Sequence, residues 1–132
     1  MLWQRLYAVI WLAFFECLLV QRWFSTWVIV ILHVALGVAI LVLTQVNAAE
    51  LAKKAVPDRL KRISRATANI AIAQAVLGAG VGALMHFSLP SWVRTLAAGI
   101  HLALALTILA QASSTATSYD MFEEKELGPA PR

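Results

Sequence analysis

Residues Thr26 to Val46 read TWVIVILHVALGVAILVLTQV, twenty-one positions without one formal charge. The hydrocarbon core of a bilayer takes roughly 20 helical residues at a rise of about 1.5 Å each, so this stretch predicts a membrane-crossing helix. It is not uniformly apolar, because His33 stands within it. Reading outward, Trp3 to Val20 forms an earlier apolar segment that ends at Gln21-Arg22. Two more follow, Ala66 to Met85 and Trp92 to Ala112, parted by HFSLPS, where Pro90 and two serines favour a tight turn. Between the second and third segments lies a polar, mostly basic connection from Asn47 to about Arg65, with Pro57-Asp58 as a helix start.

The composition agrees with these crossings. Hydrophobic residues make up 61% of the 132 residues and charged ones 14%, where soluble domains carry about 25% charged. The expectation is an all-α integral membrane four-helix bundle over residues 1–112, followed by a polar tail, 113–132, that leaves the membrane and is partly disordered beyond Met121. The first segment lacks a small-x-small cleavage site and contains Glu16, so it reads as a retained helix rather than a signal peptide. Cys17 stands alone and permits no internal disulfide.

With both termini placed in the cytoplasm, that side carries Arg5, Lys53, Lys54, Arg59, Lys61, Arg62, Arg65, Lys125 and Arg132, against Arg22 and Arg94 outside. This bias follows the positive-inside rule and suits a cytoplasmic membrane, for which a prokaryotic one is the expectation. The net charge of +4 therefore belongs to the inner connection and to anionic lipid head groups. No basic patch with interleaved aromatics sits on a soluble domain, so no nucleic-acid partner is expected.

His33 lies seven residues inside the second segment and His101 nine residues inside the fourth, about 10 and 13 Å deep. Both segments run inward from the same face, so the two imidazoles are nearly level. One intramembrane histidine is as well explained by a helix–helix hydrogen bond. Two at one depth suggest a shared partner, and a six-coordinate haem iron takes two axial histidines from facing helices. Zinc would ask for three or four ligands, and only His33, His101 and Glu16 stand at this level. Flat space beside the ligands is offered by small residues, Gly37 after His33 and Gly78 in AVLGAGVGAL, although such residues also serve ordinary helix packing. Arg94, two turns from His101 on the same side of its helix, and Arg22 in the other outer turn are suited to propionates or to anchoring at the interface. Glu16 is a candidate proton relay or an acceptor for a histidine ring N–H, and equally a side chain that reaches the outer boundary beside Arg22. His86, in the outer turn, reads as a loop residue.

These residues carry a family resemblance. Ala71 to Gln111, with Gln74, Leu77-Gly78, Leu89-Pro90 and His101-Leu102-Ala103, resembles the third and fourth helices of one half of haem A synthase, and LHVALG around His33 is similar to that family's second-helix histidine region. The likeness covers most of the chain beyond Phe24 and implies one four-helix half of the usual eight. It also implies one haem held through His33 and His101. The family's catalytic half has a glutamate three residues before the second-helix histidine and an arginine directly after it. Here those places hold Val30 and Val34, and the outer-loop cysteine pair of many members is missing.

Three functions therefore stand as expectations. The first is a haem b-binding subunit of cytochrome b type that transfers electrons beside larger respiratory or oxidase subunits. The second is a half-size haem A synthase or assembly factor, acting on haem O as a homo-oligomer. The third is an accessory membrane subunit without haem.

Overall fold

A computed structural model describes residues 2–20, 27–84 and 90–127. It consists of four helices: α1 (Leu2–Val20), α2 (Trp27–Lys53), α3 (Asp58–Leu84) and α4 (Ser91–Leu127). All four are long and apolar enough to cross a membrane. Each helix packs against two neighbours in the ring α1–α2–α3–α4, leaving α1 opposite α3 and α2 opposite α4 across the bundle. The start of α1, the end of α4 and the α2–α3 connection lie at one end, called here the termini end. The two histidines lie toward the other.

The helices exceed their apolar cores. Asn47 reads in the sequence as the start of a connection, but α2 runs on to Lys53, because Asn47 and Leu51 continue the inward stripe of Ile40 and Thr44 at the helical spacing of three or four residues. The connection shrinks to residues 54–57, and the backbone N–H groups of Leu60 and Lys61 donate to the Pro57 carbonyl at 2.9 and 3.3 Å. The basic residues Arg59 to Arg65 accordingly form the first turns of α3. Ser91 opens α4 directly after Pro90, whose carbonyl accepts from Val93 N–H at 3.1 Å.

The polar tail expected from Ser113, disordered beyond Met121, instead continues α4 as helix to Leu127. Buried Thr115, Ala116 and Tyr119 lock this extension into the bundle, and Tyr7 on α1 donates to Asp120 at 2.5 Å. The hydroxyls of Ser113 and Thr115 donate to carbonyls four residues back, a use of helical serine and threonine that leaves no polar proton stranded. Residues 128–132 lie outside the described residues, as do the turn holding Arg22 and the turn holding His86.

Two apolar clusters hold the bundle together. At the termini end Leu2, Leu6, Leu51, Val56, Leu60, Ala116 and Tyr119 close on one another. The middle layer is Val9, Ala13, Ile40, Ala71, Ile108 and Ala112. Small polar contacts stitch the same region, with Thr67 donating to Gln111 Oε1 at 2.9 Å and Gln45 to the Ala68 carbonyl at 2.8 Å. Beyond the middle layer, toward the α1–α2 and α3–α4 turns, Glu16 is the sole buried residue among those described. Large apolar side chains dominate the outward faces, with Trp27, Ile31, Val38, Val76 and Trp92 all exposed, as a lipid-facing surface would require.

Candidate functional site

The loosely packed half of the bundle is where the ionisable side chains converge. His33 from α2 and His101 from α4 come from helices on opposite corners, yet their ring centroids are 6.1 Å apart with planes inclined at 68°. Helical rise brings them level, since each lies two to three turns inside its own helix from the same end. The remaining two helices each add one polar group. Glu16 from α1 is 7% exposed, and its Oε2 accepts a hydrogen bond from the Nδ1–H of His33. Gln74 from α3 donates through Nε2 to Nε2 of His101 at 3.3 Å.

These bonds set the chemistry of each ring. With Nδ1–H of His33 committed to a carboxylate, the ring's lone pair is on Nε2. On His101 the lone pair of Nε2 faces the Gln74 amide across a long contact, while Nδ1 is buried with no partner. The second carboxylate oxygen, Oε1 of Glu16, and Oε1 of Gln74 are also buried without partners. Hydrogen-bonding capacity therefore remains on three of the four helices at one level.

The glycines shape the space. A Cβ on Gly78 would stand 2.8 Å from Cε1 of His101, closer than real side chains come, so the imidazole lies directly on the α3 backbone. Gly37 gives room to Glu16, with its Cβ position 3.8 Å from Oε1. Of the two glycines, Gly78 lies tight against the His101 ring, whereas Gly37 stands within ordinary contact distance of Glu16.

The residues can be tested against a haem. Two imidazoles on opposite sides of one metal, each bonded at about 2 Å, have ring centres roughly 6 Å apart once the ring radii are added. The observed 6.1 Å meets this spacing, and inclined ring planes are compatible with it because each ring can turn about its own bond to the metal. At this level α2, α3 and α4 bury no described residue. Among the described residues no group of three or more histidine, cysteine or acidic side chains could hold a metal ion unaided. A tetrapyrrole would supply the donors that His33 and His101 lack, and coordination through Nε2 of His101 would take over the lone pair that here faces Gln74.

Other expected members stand apart. Arg94 lies seven residues before His101, exposed, with no ion-pair partner among the described residues. Arg22 lies outside the described residues. Sequence reasoning gave Gln74 no role in the site; its signal was its place four residues before Gly78, one helical turn away on the same face. No family model, curated protein or solved structure matches this chain.

Proposed function

We propose that the chain is a membrane protein of cytochrome b type that holds one haem b through His33 and His101 and passes electrons as a subunit or partner of a larger respiratory or oxidase complex. The observation that supports this reading is the meeting of two imidazoles from opposite corners of the bundle at 6.1 Å, in the half where the helices are least packed. A haem bound there supplies one-electron redox chemistry. His33 and His101 would hold the group through their ring nitrogens, and with both positions filled by protein it would carry electrons rather than bind a substrate. Glu16 fixes the tautomer and direction of the His33 ring, Gly78 seats the His101 ring, and the surrounding lipid-facing residues keep water out. Arg94 is assigned to a propionate at the membrane surface. The nine-to-two distribution of basic residues supports cytoplasmic termini, which puts the haem nearer the outer face.

One observation favours a second reading, the half-size haem A synthase or assembly factor acting on haem O or haem A as a homo-oligomer. Val30 stands where that family's catalytic half has an acid, but Glu16 brings a carboxylate to the same histidine from the neighbouring helix.

Absorbance spectra of the purified protein, oxidised and dithionite-reduced, test the proposal. Sharp α and Soret bands are expected, and a featureless spectrum leaves the accessory subunit without haem as the remaining reading. Supplying haem O and analysing the extracted haem separates the first two readings, since formation of haem A would overturn electron transfer as the main function.

A further inference from the structure

On the lipid-facing side of α3 and α4, near the termini end, a groove of about 420 Å³ is lined by Arg62, Ile63, Ala66, Ala110, Gln111 and Ser114. Its position relative to a bilayer follows from counting. About 20 residues span the hydrocarbon; counted from Leu84 back along α3 they reach Arg65, and counted from Ser91 along α4 they reach Ala110. The groove therefore straddles the boundary between acyl chains and head groups. Its lining is sorted in the same sense, with apolar Ile63, Ala66 and Ala110 beside a cation, an amide and a hydroxyl.

The polar groups point to an anionic ligand. Arg62 makes no ion pair among the described residues, and Arg59 and Arg65, three residues to either side, share its face of α3. Gln111 accepts the Thr67 hydroxyl at its Oε1, which fixes the amide and leaves its NH₂ as a donor. Ala66 and Ala110 create the hollow because neither side chain extends beyond Cβ.

We propose that this groove is a binding site for one anionic glycerophospholipid. Its phosphate pairs with Arg62, its ester region accepts from Gln111 or Ser114, and one acyl chain lies over Ala66 and Ala110. Charge complementarity at the head-group level selects this occupant over a zwitterionic lipid. The site rests on the membrane-crossing reading of the four helices and is independent of the haem.

The full chain, reconstituted into vesicles of equal parts phosphatidylglycerol and phosphatidylcholine, is extracted and its retained lipid counted by native mass spectrometry. One phosphatidylglycerol per chain, enriched over phosphatidylcholine, is expected. Arg62→Gln should reduce that retention about fivefold, the effect of one basic residue near an anionic surface. Ala110→Leu, at an exposed position, should reduce it with the charge intact, and Lys53→Gln, outside the groove, should leave it unchanged. No enrichment in the unaltered chain, or an equal loss in Lys53→Gln, overturns the site.

Discussion

The two halves of this bundle are built on different principles, although the same four helices run through both. Toward the termini, interlocking side chains such as Leu51, fully buried, and Val9, 2% exposed, pack in two successive clusters, and hydroxyls are tied to carbonyls or to Gln111. Toward the histidines, α2, α3 and α4 bury no described residue, and the inward positions are taken by Glu16, His33, Gln74 and His101. A bundle that packed both halves alike would have no room for a planar cofactor. One that opened both would lack the stability to hold two imidazoles at a set distance. The packed half fixes helix spacing, and in the proposed reading it serves as a clamp for the half that would hold the haem.

Substitutions can break this division. Leu51→Ala should be the most damaging to stability, about 2–5 kcal/mol as for other fully buried leucines, read as a lowered unfolding midpoint in detergent. Val38→Ala in the other half, at an exposed position, should stay within about 0.5 kcal/mol. Equal losses at the two positions would erase the distinction.

Gly78→Ala sharpens it. The added methyl must displace the His101 ring, and crowding of this kind costs about 1–3 kcal/mol in a close-packed core. In the open half the ring should turn aside instead, so the expected outcome is loss of haem absorbance per protein with a stability change at the low end of that range. Glu16→Gln keeps the shape and removes the charge beside His33. Haem retention should fall about 10–100-fold, as when the carboxylate that orients a metal-bound histidine is removed, measured by transfer to an apo-globin acceptor, with the unfolding midpoint nearly unchanged. Thr67→Val, which loses the hydroxyl placed between Gln111 and the Ile63 carbonyl, should cost about 0.6 kcal/mol, the mean for hydrogen bonds between membrane helices, close to the bound set for Val38→Ala.

Much of the architecture is legible in the sequence because bilayer thickness imposes it. An uncharged run such as Thr26 to Val46 has few alternatives to a crossing helix, and counting residues from the helix starts places His33 and His101 at one level. The helix ends are less legible. Asn47 resembles a loop residue by type, but its neighbours on all sides are other helices, and it is 2% exposed. The α4 extension is hidden for a similar reason, since a run of serine, threonine and acidic residues signals a polar tail unless Tyr119 is known to fill a cavity between Leu2 and Leu60. In the site, the partner of Glu16 depends on which way α1 turns its face, and sequence alone leaves the carboxylate free to reach the boundary. Gln74 is harder still, because its place one turn before Gly78 puts it on that face without telling a packing amide from one that meets an imidazole.

The central claim is that His33 and His101 together hold one haem iron, and the most direct measurement is the low-spin absorbance and electron paramagnetic resonance spectrum of His33→Ala and His101→Ala beside the unaltered protein. The account predicts a low-spin six-coordinate haem in the unaltered chain and loss of that state in each variant, by conversion to high spin or by loss of haem. A low-spin spectrum retained in both variants would contradict it.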